Sequence, residues 1–395
     1  MSLLKRRQFL SSLSSGALGL GVAGRLRGGS ASAQREPQAS ATLKVIKYNV
    51  LGKTGLKVSD VSCGAISLFE PNVLRYAYDC GVTYFDTAEV YLRGKGEGYV
   101  GQGLKGVRDK VIITTKHILT PPQKADKASI VKRMEESLKR LQTDYVDVAL
   151  IHMLEDLEFL RNNQEVLSAY DQLKKDGKVR FTGFSTHTAK LTLKQALGSD
   201  FPQVILFMYN HVEGPEIEPL VKAVREKGIG TVAMKIFAGN MQNNLKNMVG
   251  PQCSYPQAAI RWVMSNPDVD TCVPTMSSYS HVEEYVATSG QPLDRSALRL
   301  IARYQEQTRD SYCRVSCTAC LSACPNRVAV NDVLRFAMYY ENYGMERQAI
   351  EYYAELPAER KPINCETCAG LCERACPNGL KVRTRLLHSH DILSV

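Results

Sequence analysis

From Val45 to about residue 290, short apolar runs alternate with stretches whose apolar positions recur every three or four residues. The runs 61–65, 83–87, 111–115, 146–152, 179–185, 204–209, 231–236 and 271–274 predict eight strands. Nearly all their positions are apolar, as strands covered on both faces require. Between them, Ile130, Met134, Leu138 and Leu141 share one helical face. Val166, Ala169, Tyr170 and Leu173 share another, with Gly177 placed to stop that helix. Regular alternation of strand and helix predicts a parallel α/β sheet. Eight such units form either a closed (β/α)8 barrel or a large open sheet. No Gly-x-Gly-x-x-Gly follows an early strand, which removes the best signal for the open dinucleotide-binding sheet. Ahead of the first strand, residues 48–51 and 56–58 flank Lys53-Thr54-Gly55, a hairpin expected to close the barrel's bottom.

The length of 395 residues suits a barrel of about 250 residues plus a smaller part. The pattern divides the chain into a leader (1–33), a linker (34–44), the barrel (45–295) and a cysteine-rich, mostly helical region (296–395). In the leader, Lys5-Arg6-Arg7-Gln8-Phe9-Leu10 precedes a weakly apolar Ser/Gly/Ala run, and Ala31-Ser32-Ala33 offers a small-x-small cleavage site. The run is too short and too poor in large side chains to span a bilayer, which takes about 20 residues. It resembles a twin-arginine signal, which implies use of that export machinery, a periplasmic location, and anchoring at the inner membrane if the signal stays uncleaved. The formal charge of +10 shrinks to about +5 once Lys5, Arg6, Arg7, Arg25 and Arg27 of this acid-free leader are set aside. With no aromatic-and-basic stripe, nucleic acid is not an expected partner.

Chemistry in a closed barrel gathers at the C-terminal ends of its strands. Those ends carry Asp86, Lys116 and His152, and Tyr91 follows Asp86 by five residues. Gly81-Val82-Thr83-Tyr84-Phe85-Asp86-Thr87-Ala88 with Tyr91 resembles a signature of the aldo/keto reductases. Leu51–Ser59 is similar to that family's opening hairpin, and Leu138–Asp147 to its stretch before strand four. The resemblance spans roughly residues 47–290. It implies a TIM barrel in which Tyr91 is the general acid, Lys116 lowers its pKa, Asp86 holds the lysine and His152 orients a carbonyl. The residue types suit that task. Hydride delivered to a carbonyl carbon leaves an alkoxide that needs a proton, and an ammonium group favours ionisation of a neighbouring phenol.

The resemblance also implies NAD or NADP. After the last strand, Val273-Pro274-Thr275-Met276-Ser277-Ser278 leads into a helix beginning near Tyr279, with Ser280 and Glu283 at capping-box spacing. Helix-start N–H groups suit phosphate. Ser277 and Ser278, Ser185, Lys235 and Glu284, the last at the place of the family's adenine-contacting acid, are the expected cofactor residues. Here the chain departs from the family pattern. Thr275 and His281 stand for the basic pair that meets a 2′-phosphate, Tyr285 for an asparagine, Met234 for the aromatic under the nicotinamide, and Ser185-Thr186 with Leu206 for the groups holding its carboxamide.

Two cysteine runs end in Cys-Pro: Cys313, Cys317, Cys320, Cys324 and Cys365, Cys368, Cys372, Cys376. Eight thiols suffice for two 4Fe-4S clusters in the ferredoxin manner, where the fourth cysteine of a run reaches the other cluster. Each run has one residue more than the usual spacing. Zinc knuckles normally lack a third close thiolate, and disulfides fit this crowding less well. The tyrosine-rich insert between the runs (Phe336, Tyr339, Tyr340, Tyr343, Tyr352, Tyr353) reads as core packing. Some aldo/keto reductase barrels carry such a ferredoxin-type tail. The expected function is oxidoreduction of a small carbonyl or hydroxyl compound, sugars included, with the clusters serving an external redox partner or the structure. The alternative is an electron-transfer subunit that uses the barrel as a docking scaffold.

Overall fold

All eight predicted strands form: β3 Cys63–Gly64, β4 Tyr84–Asp86, β5 Ile112–His117, β6 Val146–Ile151, β7 Val179–Thr186, β8 Val204–Met208, β9 Gly230–Met234 and β10 Thr271–Cys272. They follow the hairpin β1 Tyr48–Val50 and β2 Lys57–Ser59. The computed structural model describes residues 43–119, 125–212, 217–238, 248–314, 317–343 and 345–395. The leader and nearly all of the linker lie outside the described residues. Lys44–Val395 make one compact unit.

β3 to β10 lie in one sheet in chain order, and every neighbouring pair is parallel. Parallel bridges Val61–Cys272 and Gly64–Thr275 bring the first strand against the last. The open-sheet alternative is thereby ruled out. Inward positions of the strands fill the interior with Tyr84, Ile112, Val148, Leu150, Val204, Leu206 and Val232.

The hairpin plugs the bottom as expected: Leu51, Leu56 and Val58 pack into that same core. Gly52, at φ +52°, permits the close approach, since a Cβ there would lie 2.4 Å from the backbone nitrogen of Gly230. The carboxylate of Asp270 ties hairpin to barrel, accepting from the N–H groups of Gly52 (2.9 Å) and Thr231 (3.0 Å).

Past the barrel, Asp294 caps the helix Arg295–Gln307 by accepting from the N–H of Ala297 at 2.8 Å. Tyr304 of that helix stacks on Tyr255, with ring centroids 4.0 Å apart. Helices Val330–Asn342, Glu346–Ala354 and Val382–Leu393 then build a second core. Val330, Val333, Ala337, Tyr353 and Leu386 form it together with Cys320, Cys365 and Cys372.

Candidate active site

Side chains on alternate residues of a strand share a face, and the barrel uses this to turn apolar interior into polar mouth. β4 climbs from Tyr84 to Asp86, β5 from Ile112 through Thr114 to Lys116, and β6 from Val148 and Leu150 to His152 just beyond its end. Asp86, Tyr91 and His152 line one cavity of about 380 Å³. Lys116 lies beneath, fully buried. Its ammonium donates to Asp86 Oδ2 at 2.7 Å and to the carbonyl of Thr87 at 2.5 Å. It also stands 4.7 Å from the centre of the Tyr91 ring, whose edge-to-face partner is His152 at 5.7 Å.

The turn that delivers Tyr91 is strained. Leu92 and Arg93 occupy the left-handed region at φ 50° and 57°, which costs about 1–2 kcal/mol per residue. Gly96 makes room behind it, since a Cβ there would sit 3.0 Å from the Cβ of Tyr91.

The electrostatics correct one expectation. Lys116 does not make Tyr91 acidic. Burial pushes the phenol well above its ordinary value, and Asp86, Tyr352 and Tyr339 add to the rise. The reason is geometric: the ammonium meets the ring's face and spends two of its three N–H bonds on Asp86 and Thr87. Burial also drives the ion pair toward neutrality, lifting Asp86 and lowering Lys116 against their mutual attraction. His152 is held well below its usual value by burial and then by Lys116, so its ring is neutral. Its Nδ1 is buried with no partner among the described residues.

The cavity has lining that strand-end reasoning did not foresee. Tyr339, Asn342, Tyr343, Met345, Gln348 and Tyr352 contribute from the insert between the cysteine runs. Part of that insert is therefore pocket wall rather than core. His187 also lines the cavity. Glu155 orients it, meeting its Nδ1 at 2.9 Å while accepting from the Thr188 N–H at 2.8 Å. His187 falls two residues after Ser185 on the strand-end path, and that spacing was its only signal.

Residues 69–248 match the model of the Aldo/keto reductase family. L-galactose dehydrogenase of Arabidopsis thaliana is 27% identical over 286 residues, covering 61% of this chain and 88% of that protein. Methylglyoxal reductase of Escherichia coli (strain K12) is 28% identical over 244 residues, covering 59% and 83%. A putative aldo-keto reductase from Pseudomonas aeruginosa superposes with a TM-score of 0.53 at 26% identity, over 64% of this chain and 97% of that one. Residues 69–248, a little under half of the chain, are thus similar to the aldo/keto reductase family.

The residues expected to hold a nicotinamide are dispersed. Ser185, Lys235 and Glu284 line the cavity, as do Thr275, His281 and Tyr285. Ser185 Oγ accepts from the N–H of Met153 at 2.9 Å, and Glu284 accepts from the Ser254 hydroxyl. Ser277 and Ser278 are not among the lining residues. Ser278 caps the helix Tyr279–Val286, accepting from the His281 N–H at 3.2 Å. This replaces the expected box of Ser280 and Glu283. Glu283 instead accepts from the Tyr76 hydroxyl at 3.1 Å. A full capping box does form nearby, between Ser254 and Gln257. Glu284, Lys235 and the apolar Met234, Phe237 and Pro274 line the same cavity, so a carboxylate, an ammonium and apolar surface are there for a nucleotide to meet.

All twelve cysteines are free thiols. Burial raises Cys313 to about 12, and Cys317, Cys320 and Cys376 raise it further by proximity. Cys365 is raised to about 11 by burial and then by Cys324, Cys368 and Cys372. Cys313 and Cys365 thus each lie near two thiols of their own run and the Cys-Pro thiol of the other, while Cys320 also lies near Cys372. Among the described residues, no three His, Cys, Asp or Glu side chains gather tightly enough for a single metal ion.

Proposed function

We propose that this protein is an aldo/keto reductase-type oxidoreductase that moves hydride between a nicotinamide (NAD or NADP) and a small carbonyl or hydroxyl compound. The observation carrying this reading is the convergence of Asp86, Tyr91, Lys116 and His152 on one cavity. The name of the L-galactose dehydrogenase relative favours sugar-like substrates. A bound nicotinamide would supply the hydride, held by Glu284 and Ser185, with Ser277 and Ser278 at the nearby helix start, while Lys235, expected beside it, is engaged by Tyr339 instead.

Every other role falls to the chain itself. His152, neutral, has one N–H to give a carbonyl oxygen, and Tyr91 gives the proton when charge develops there. A phenol raised by burial stays protonated at neutral pH and so holds a proton to give. Lys116, held by Asp86 and Thr87, packs against the ring face of Tyr91 and fixes where the phenol stands.

The reading extends to two 4Fe-4S clusters. Cys313, Cys317 and Cys320 with Cys376 would hold one, and Cys365, Cys368 and Cys372 with Cys324 the other. The sorting of the thiols into these sets supports it. Such clusters would carry single electrons to a redox partner or tie the helices together. The leader would direct the folded protein through the twin-arginine machinery to the periplasm. No helix among the described residues is long and apolar enough to cross a membrane.

The altered nucleotide segment, with Met234, Thr275 and His281, favours one competitor, an electron-transfer subunit with the barrel as scaffold. Tyr91→Phe separates the two. Carbonyl-dependent nicotinamide oxidation falls at least 100-fold if the phenol is the acid. A wild-type protein that neither binds a nicotinamide nor turns one over would end the reductase reading.

A further inference from the structure

The phenol with an ammonium at its hydroxyl is not Tyr91. Lys235, just past the end of β9, donates to the hydroxyl oxygen of Tyr339 at 3.2 Å. Tyr339 comes from the helix Val330–Asn342, so this bond joins the barrel to the C-terminal helices across the mouth. Lys235 also faces the rings of Tyr339 and Tyr343, at 4.8 and 5.4 Å. Among the described residues no carboxylate pairs with it. Both partners line the cavity that holds Tyr91 and His152.

We propose that Tyr339 and Lys235 form a polar subsite, which selects carbonyl substrates carrying a second oxygen. This deepens the reductase reading and rests on it. The Tyr339 oxygen already accepts from Lys235, so the pair presents the phenol O–H and the remaining ammonium N–H bonds as donors. A second oxygen on the substrate is the group that accepts from both.

Charge strengthens the phenol as a donor. Burial works to raise the Tyr339 phenol, but Lys235 and Arg335 outweigh it and bring the value below the ordinary one, while Glu155 opposes them. Arg335 is itself engaged by Asp332 at 2.6 Å, and Glu155 by His187. Tyr343, edge-on to Tyr339 at 5.7 Å, is raised by burial. Lys235 stays charged, because the phenols of Tyr339 and Tyr343 outweigh its burial.

The test uses the full-length protein without nicotinamide. Alkaline difference absorbance should show one phenol titrating ahead of the others. Tyr339→Phe removes that phase, Lys235→Met moves it upward, and Tyr91→Phe leaves it in place. Calorimetric binding of glyceraldehyde and propanal gives the second readout. The wild type should favour glyceraldehyde by about tenfold or more, the worth of one hydrogen bond to a charged group. That preference should shrink toward unity in Tyr339→Phe and Lys235→Met. Persistence of the preference in both variants, or of the early phase in Tyr339→Phe, overturns the proposal. Neither readout needs hydride transfer, so failure of the subsite and failure of the reductase reading are told apart.

Discussion

Lys116→Met isolates the buried ion pair beneath Tyr91. In the folded protein Asp86 Oδ1 already lacks a partner, and Oδ2 is held by Lys116 at 2.7 Å. Methionine keeps most of the volume but strands the carboxylate. Breaking a buried pair in this way costs about 3–5 kcal/mol, against a total stability of about 5–15 kcal/mol. A domain of 150–250 residues loses about 2–4 °C per kcal/mol and a larger one somewhat less, so the midpoint should fall by about 5 °C or more. The sign of the pH dependence follows from the chemistry. Asp86 is raised by burial even with its lysine present, and losing the lysine raises it further. A carboxyl whose folded pKa lies above its unfolded one destabilises as pH climbs from the unfolded toward the folded value. The deficit should therefore be smaller near pH 5 than near pH 8. Adding Asp86→Asn removes the stranded charge, and the double variant should recover part of the loss. Urea unfolding at both pH values measures all four corners of the cycle. A single variant within about 1 kcal/mol of wild type, or a double variant weaker than the sum of the singles, would refute this reasoning.

Two other outcomes follow from the same physics. Glu155 is brought down to about 2, because His187 and Thr188 outweigh its burial. Its contribution is therefore complete above the unperturbed value of 4.5 and lost as pH falls toward 2; Glu155→Gln should flatten acid unfolding in that window, read by circular dichroism. On the proposed two-cluster reading, Cys324→Ser should perturb the cluster of the second run rather than that of its own, with iron and labile sulfide falling by about half and EPR showing which signal survives.

Strands and strand ends were readable because they obey a strict period. Alternate residues climb from apolar to polar along β4, β5 and β6, so Asp86, Lys116 and His152 announce themselves. Tyr91 was found by resemblance, since nothing local predicts a left-handed turn at Leu92 and Arg93. Lys235 was readable as a strand-end cation. Its partner Tyr339 was not, because the contact spans about a hundred residues of chain and depends on how the last helices dock. The cap of the final barrel helix fell to Ser278 rather than Ser280, since the nearer hydroxyl reaches the third helical N–H. Similarly, the barrel choice over an open sheet needed the bridges that join Val61 to Cys272 and Gly64 to Thr275.

One wall of the cavity that holds Tyr91 and His152 belongs to Tyr339, Asn342, Tyr343, Met345, Gln348 and Tyr352, beyond the segment that matches the reductase family. A fragment cut after the barrel would be roofless there, with Met234 and Lys235 opened to bulk water. Any attempt to borrow this scaffold for new substrates must redesign two stretches of chain together. Variation in the roof should retune selectivity while the machinery on the strands stays untouched.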